Sequence, residues 1–129
     1  MNQKPLILCV DDDPDIRHFL RTVLEEEGYE VVDAPSAEEG LRLYRQRQPA
    51  AVIVDLMMEE VDAGTNFVRE LRTIGVKVPV FLLSSVGDQL NAIADYGTLG
   101  LSGILQKPIS PSSLVSTLRT RLARPTTNG

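Results

Sequence analysis

The feature that most constrains this chain is a series of short apolar runs that alternate with amphipathic stretches. Leu6–Val10, Ala51–Val54 and Val80–Leu83 are wholly apolar, which is typical of strands buried on both faces of a sheet. Tyr29–Ala34 and the short run Ile104–Leu105 complete a set of five predicted strands. Since strands covered on both faces belong mostly to parallel sheets, we expect helices on each side.

The stretches between these runs have the spacing and the end signals of helices. Pro14 is placed for the first turn of helix 1 and Gly28 for its C-terminal cap, while Ser36 and Ser110 precede two later helices as N-caps. A fourth helix is predicted over roughly Asp88–Tyr96. Apolar residues of the other helices recur at three- and four-residue spacing: Ile16, Phe19, Leu20, Val23, Leu24; Leu41, Tyr44; Phe67, Val68, Leu71, Ile74; and Leu114, Val115, Leu118, Leu122.

Five strand–helix units predict an α/β fold, a single doubly wound parallel sheet flanked by five helices. Because crossovers are right-handed, strand order 2-1-3-4-5 is the common small solution. A loop is expected at residues 56–65, which include Gly64, whereas the three glycines of segment 97–103 leave its conformation open. A length of 129 residues suits one domain, which we place at residues 1–123. Residues 124–129 form a short polar tail, either disordered or the start of a linker.

Charge and composition exclude several classes of protein. A net charge of −5 disfavours a direct nucleic-acid interface, which is usually basic. The single cysteine, Cys9, permits neither an internal disulfide nor a cysteine-rich zinc site, and its apolar surroundings predict a buried thiol. The sequence has no apolar stretch long enough to span a membrane, and its first residues do not resemble a signal peptide. We therefore expect a cytoplasmic protein without a membrane partner.

In a doubly wound sheet, binding sites form at the carboxyl ends of the strands, near the switch point between strands 1 and 3. Polar residues at these ends are Asp11, Asp12 and Asp13 after strand 1, Asp55 after strand 3, Ser84 after strand 4 and Lys107 after strand 5. Each has an ordinary structural interpretation when taken alone. Acids before a helix often only stabilise its N-terminus, and serines or lysines at strand ends are common. Their convergence on one edge of one sheet is what favours a functional site.

The combination of these residue types indicates phosphoryl chemistry. Crowded carboxylates repel one another and require a cation, and an all-oxygen ligand set suits Mg²⁺, or Mn²⁺ in its place. A carboxylate can also act as a nucleophile and form an aspartyl phosphate. Lys107 and the Ser84 hydroxyl could each hold one oxygen of the transferred group. The sequence thus predicts a phosphoryl acceptor that catalyses its own modification.

Four motifs make the sequence resemble the receiver domain of two-component response regulators over about residues 5–123. They are VDDDP (Val10–Pro14), IVDLMM (Ile53–Met58), FLLSS (Phe81–Ser85) and LQKP (Leu105–Pro108). The resemblance implies the flavodoxin-like receiver fold. It implies that Asp55 is the phosphoacceptor, and that Asp12 binds Mg²⁺ directly while Asp11 does so mainly through water. It also implies a metal contact from the Met57 backbone carbonyl, a switch hydroxyl on Ser84 and a phosphate-binding Lys107.

The sequence departs from the family pattern at three places. The loop after Asp55 has Glu59 where a proline is usual, and one additional residue. Ile104 stands where the family usually has an aromatic switch residue, so the usual aromatic readout is in doubt. The glycine-rich segment 97–103 is longer than the usual turn, which would alter the common output surface beside it.

The resemblance implies a phosphohistidine donor, either a sensor histidine kinase or a histidine phosphotransfer protein, and a downstream protein target that the sequence does not specify. A weak homodimer, as occurs in the family, stays open. One alternative is a receiver-like protein-binding module that works without phosphorylation. Another is an aspartate-nucleophile phosphatase, but Asp55-Leu56-Met57 lacks the second acid of a D-x-D arrangement. We therefore expect no enzyme beyond self-phosphorylation and dephosphorylation.

Overall fold

A computed structural model describes residues 4–55, 63–85 and 101–122 of the chain. These residues form five strands: β1 (Leu6–Val10), β2 (Glu30–Ala34), β3 (Ala51–Asp55), β4 (Val80–Ser84) and β5 (Gly103–Gln106). The described helices are α1 (Pro14–Glu26), α2 (Ala37–Arg47), α3 (Ala63–Thr73) and α4 (Pro111–Arg121). All strand pairs are parallel and the order is β2-β1-β3-β4-β5, which confirms the predicted fold and topology.

The apolar runs form strands because both faces of the sheet are covered. Along β1, Leu8 and Val10 contact the core beside α2 and α3, whereas Ile7 and Cys9 contact the core beside α1 and α4. Every residue of β3 and β4 is buried. A one-residue shift in register would exchange the two sets of side chains between the two cores, so the packing fixes where each strand ends.

The predicted helix signals act as expected at most ends. The side chain of Asp13 accepts a hydrogen bond from the Asp15 backbone N–H and caps α1. Ser36 caps α2 and Ser110 caps α4 in the same way. Gly28, just beyond α1, has φ of 97°, a left-handed conformation that glycine adopts with little strain.

Two local predictions around α3 were wrong. The segment 56–65 was expected to be a loop, but α3 begins at Ala63. Glycine in the first turn is compatible with a helix, so Gly64 does not delay its start. Ile74 was assigned to the buried face, yet it lies beyond the end of α3 and is 43% exposed.

Three predictions fall on parts of the chain that the structure does not describe. They are the helix over 88–96, the conformation of residues 97–100, and the polar tail at 124–129. The domain boundary at residue 123 is likewise outside the described residues and stays a prediction. No helix among those described is long and apolar enough to cross a membrane.

Candidate phosphoryl-acceptor site

The first part of the site is the turn that follows β1. The backbone N–H of Asp11 donates to the Ala34 carbonyl at 3.1 Å, extending the pairing between β1 and β2 by one residue. Its carboxylate accepts a hydrogen bond from the Asp13 backbone N–H at 2.9 Å. Asp11 is fully buried, and Asp12, the next residue, is exposed. The turn therefore presents one buried and one exposed carboxylate at the same strand end.

Asp55 is the last residue of β3 and is 3% exposed. Since β1 and β3 are neighbours at the switch point of the sheet, this residue lies beside the turn after β1. Oxygen atoms of Asp11, Asp12 and Asp55 all lie within 4.8 Å of one another. The topology thus produces the three-carboxylate cluster that the sequence predicted.

Lys107 reaches the cluster from the far side of β4. Its backbone N–H donates to the Ser84 carbonyl at 2.8 Å, which attaches the segment after β5 to the end of β4. Its Nζ lies 3.1 Å from Asp55 Oδ1 and 3.5 Å from Asp11 Oδ2. One ammonium group therefore bridges two buried carboxylates.

Burial and charge act in opposite directions on these groups. Burial raises the pKa of Asp11, although the Asp13 backbone N–H and the charge of Lys107 oppose this rise. Burial alone would lower the pKa of Lys107, but the charges of Asp11 and Asp55 outweigh it and raise the pKa. Lys107 is consequently a stable cation at neutral pH.

Ser84 Oγ is buried at this edge and has no hydrogen-bond partner among the described residues, whereas Asp11 Oδ2, also buried, has its contact to the Lys107 ammonium at 3.5 Å. Leaving a buried polar atom unsatisfied costs about 1–3 kcal/mol, so such atoms are rare in folded proteins unless a ligand or water completes them. The three clustered carboxylates fit a hard divalent cation. The Ser84 hydroxyl and the Lys107 ammonium beside Asp55 fit an oxyanion. The donor set contains only oxygen, which is the preference of Mg²⁺.

The structure brings together Asp11, Asp12, Asp55, Ser84 and Lys107 as the sequence predicted. Met57, the predicted backbone ligand, lies outside the described residues. Ile104 belongs to β5 and is 41% exposed, so its side chain is available at the surface.

Sequence reasoning did not identify Arg17 and Asp33 as part of the site. Arg17 Nη1 donates to the Asp11 carbonyl at 2.8 Å, and its Nε lies 3.1 Å from Asp33 Oδ2. The sequence signal for this contact was an acid, Asp33, within the otherwise apolar end of β2. A second signal was the pair Arg17 and Arg21, which are four residues apart and therefore lie on one side of α1.

The comparison with protein families gives a match to the response regulator receiver domain over residues 7–119. The chain belongs to this family. Receiver domains are signalling domains that typically accept a phosphoryl group, and response regulators work with sensor kinases and downstream targets. The family membership agrees with the acidic cluster, which could hold a metal ion.

Relatives of this receiver domain include a protein of Porphyra purpurea described as "Probable transcriptional regulator ycf27", 38% identical over 95% of this chain. Another is the KDP operon transcriptional regulatory protein KdpE of Escherichia coli, 36% identical over 92% of this chain. The chain spans about half of each relative, 49% and 51%.

Solved structures show the same fold. The chemotaxis protein CheY4 of Vibrio cholerae matches this receiver domain with a TM-score of 0.85 and 28% identity, covering 93% of this chain and 100% of CheY4. A response regulator receiver domain protein of Clostridium thermocellum matches with a TM-score of 0.84 and 30% identity, covering 93% and 95% of the two chains.

Proposed function

We propose that this receiver domain accepts a phosphoryl group on Asp55 from a phosphohistidine donor and signals through the conformational change that follows. The observation that supports it most directly is the position of Asp55. Its carboxylate is buried at the end of β3, 3.1 Å from the Lys107 ammonium and clustered with Asp11 and Asp12. The proposed nucleophile (Asp55), two carboxylates for the metal (Asp11 and Asp12) and the Lys107 ammonium thus lie together at the carboxyl end of the sheet.

The proposed step transfers one phosphoryl group between two side chains. A carboxylate oxygen of Asp55 attacks the phosphorus and forms a new P–O bond, while the P–N bond to the donor imidazole breaks. The bonding electrons leave with the imidazole nitrogen. The product is an aspartyl phosphate on this chain and an unphosphorylated histidine on the donor.

A divalent cation is part of the proposal. Asp11, Asp12 and Asp55 would hold Mg²⁺, or Mn²⁺ in its place, and the expected further contact is the Met57 backbone carbonyl. When bound, the metal neutralises charge that builds up on the phosphoryl oxygens. The close grouping of these three carboxylates, whose oxygens lie within 4.8 Å of one another, supports this assignment.

Lys107 and Ser84 are assigned to the phosphoryl oxygens. Lys107 offers a charge fixed between Asp11 and Asp55, and Ser84 Oγ is a buried hydroxyl without a partner among the described residues. A new oxyanion on Asp55 would attract both groups. Movement at the ends of β4 and β5 then becomes the first structural consequence of phosphorylation.

The proposed donor is a sensor histidine kinase or a histidine phosphotransfer protein, and the output is a protein target. Family membership supports this assignment and a cytoplasmic location. The exposed aliphatic Ile104 favours an output that does not depend on an aromatic side chain at this position. We propose no catalytic activity beyond the domain's own phosphorylation and dephosphorylation.

Intact mass spectrometry after incubation with a small acyl phosphate and Mg²⁺ tests the proposal. We expect one added phosphoryl group, which is absent without Mg²⁺ and absent in Asp55→Asn. The matched control is Asp15→Asn, an exposed acid in the first turn of α1, which should be modified like the original chain.

Addition of a phosphoryl group to Asp55→Asn would show that the acceptor is another residue. No addition, together with no Mg²⁺ binding, would favour the protein-binding module that works without phosphorylation. No addition with Mg²⁺ still bound would lead to the same assay with a phosphohistidine protein as the donor, and failure there would overturn the proposal.

A further inference from the structure

Arg17 connects the metal-binding turn to an ion-pair network on β2. From the first turn of α1 its Nη1 donates to the backbone carbonyl of Asp11 at 2.8 Å. The Nε of the same guanidinium lies 3.1 Å from Asp33 Oδ2. A planar guanidinium that uses two different nitrogens is held in one orientation, so this contact has a defined geometry.

A second arginine, Arg21, pairs with the other carboxylate oxygen of Asp33. Arg21 Nη2 lies 3.0 Å from Asp33 Oδ1, and Arg21 Nη1 donates to the Val31 carbonyl at 3.1 Å. Asp33 itself belongs to β2 and is in register with Cys9 of β1. Both oxygens of its carboxylate are therefore used, one by each arginine.

Apart from the pairs that Lys107 forms, the pair of Arg17 and Asp33 is better shielded than the other ion pairs given for the described residues. The side chains of Arg17 and Asp33 are 20% and 28% exposed, whereas the exposed pair of Arg47 and Glu30 has values of 45% and 54%. Surface pairs contribute little and are screened by salt. A partly buried pair with two hydrogen-bonded nitrogens keeps a fixed geometry more effectively.

The carbonyl that Arg17 contacts belongs to the peptide unit between Asp11 and Asp12. Because a peptide unit is planar, fixing the Asp11 carbonyl also fixes the Asp12 N–H and the direction in which that residue leaves the turn. The Asp11 N–H is already held by the Ala34 carbonyl. Hydrogen bonds therefore fix the backbone on both sides of the Asp11 α-carbon.

We propose that Arg17, held by Asp33, is a positioning residue that orients the Asp11–Asp12 peptide for Mg²⁺ binding. The inference rests on the metal site of the proposed function. Arg17 acts through the backbone and contacts neither the phosphoryl group nor the metal. Its loss should weaken Mg²⁺ binding while the phosphorylation rate at saturating Mg²⁺ stays close to the original value.

The test compares Arg17→Met with Arg21→Met, since each variant removes one ion pair to Asp33 and only the first removes a contact to Asp11. Isothermal titration with Mg²⁺ alone should show affinity reduced about tenfold in Arg17→Met, the lower end of effects typical for groups that orient metal ligands. Arg21→Met should stay within about twofold. Arg17→Lys should recover little, because an ammonium lacks the two separate nitrogens.

Phosphorylation by a small acyl phosphate gives the second measurement. In Arg17→Met the Mg²⁺ concentration for half-maximal rate should rise about tenfold, in line with the affinity loss, with the maximal rate retained. Urea unfolding of both methionine variants monitors the structural contribution of each ion pair.

Three results would overturn the inference. Equal Mg²⁺ affinity in Arg17→Met and the original chain would do so, and so would equal weakening in both methionine variants. A lower maximal rate with unchanged Mg²⁺ affinity would assign Arg17 to the chemistry instead. Failure of the proposed function is distinguishable, because the titration would still separate the two variants in a domain that binds Mg²⁺ but is never phosphorylated.

Discussion

The Nζ of Lys107 lies 3.1 Å from Asp55 Oδ1, although Asp55 ends β3 and Lys107 follows β5, and β4 separates these two strands. The lysine side chain therefore extends across the end of an intervening strand. Any modification of Asp55 changes the charge that Lys107 faces, and the segment after β5 is attached to Ser84 by a backbone hydrogen bond. A change at β3 can thus reach β4 and β5 directly.

Lys107→Met should affect metal binding and phosphorylation in opposite directions. The ammonium repels a second cation near Asp11 and Asp55, so we expect Mg²⁺ to bind about tenfold more tightly, or by about 1.4 kcal/mol, in the variant. Phosphorylation at saturating Mg²⁺ should nevertheless be slower, because one partner of the phosphoryl oxygens is missing. Isothermal titration and intact mass spectrometry measure the two effects.

The matched control is Lys77→Met, which removes the same charge at an exposed position before β4. It should leave both quantities unchanged. Weaker Mg²⁺ binding in Lys107→Met would contradict the prediction and show that the lysine holds the carboxylates in place for the metal.

Asp11→Asn should stabilise the metal-free protein at neutral pH. Burial raises the pKa of Asp11 in the folded state, so the ionised form is less favourable when folded than when unfolded. This cost is complete above the folded pKa and disappears as pH falls through it towards the ordinary value of 3.8. The stabilisation by asparagine should therefore shrink over the same range.

Urea unfolding at several pH values in the presence of a chelator measures this difference. At neutral pH and saturating Mg²⁺ the original chain should be more stable than Asp11→Asn. A ligand that binds only the folded state stabilises the protein that binds it more tightly, and the original chain keeps the Asp11 carboxylate. Asp15→Asn is the control and should be slightly destabilising, because it removes an exposed acid from the first turn of α1. A lower metal-free stability for Asp11→Asn at neutral pH would show that the ion pair to Lys107 outweighs burial.

The parts of the fold that the sequence predicted depend on local patterns. Runs such as Ala51–Val54 can be identified as buried strands because every position must be apolar when both faces are covered. Asp55 follows as a site residue because an acid at the end of such a run has no other role in packing. The strand order then brings it to Asp11 without further information.

The parts that could not be predicted depend on the reach of individual side chains. The contact between Arg17 and Asp33 joins α1 to β2, and nothing in either segment specifies which arginine uses which oxygen. Ile74 has the spacing of a buried helical residue, but α3 ends at Thr73. Its exposure depends on where the helix ends, which apolar spacing does not determine.

Gly40→Ala should destabilise the fold through α2. A Cβ at this position would lie 2.8 Å from Val10 Cγ2 and 3.3 Å from the Phe67 ring. Overpacking of this kind costs about 1–3 kcal/mol, and the helix propensity of alanine returns about 1 kcal/mol. We expect the free energy of unfolding, measured in urea, to fall by up to about 2 kcal/mol.

The double variant Gly40→Ala with Val10→Ala tests the assigned contact. Removing the valine methyl groups makes room for the new Cβ, so the two losses of stability should be clearly less than additive. Additive losses would show that the cost of Gly40→Ala has a source other than Val10.

Adjacent positions in β5 should respond very differently to truncation. Leu105 is 4% exposed and contacts the core beside α1 and α4, whereas Ile104 is 41% exposed. Leu105→Ala should cost about 2–5 kcal/mol and Ile104→Ala less than about 1 kcal/mol. Ile104→Tyr should fold with little change in stability, because the strand position is open to solvent. A large loss in either Ile104 variant, measured by urea unfolding, would show that this residue is needed for packing.

The single thiol offers a direct measure of how the domain opens. Cys9 is fully buried in β1 and burial raises its pKa, so both access and thiolate formation are suppressed in the folded state. Its labelling by a maleimide near neutral pH should be slow, complete in denaturant, and slowed further by saturating Mg²⁺ in the native protein, because the metal lowers the open population. Since the chain has one cysteine, intact mass gives the labelled fraction without ambiguity.

In Asp55→Asn the Mg²⁺-dependent protection of Cys9 should be reduced, while its labelling in denaturant is unchanged. Rapid labelling of the native protein would show that β1 is exposed by local opening, and equal Mg²⁺ protection in Asp55→Asn would show that the metal binds without this carboxylate.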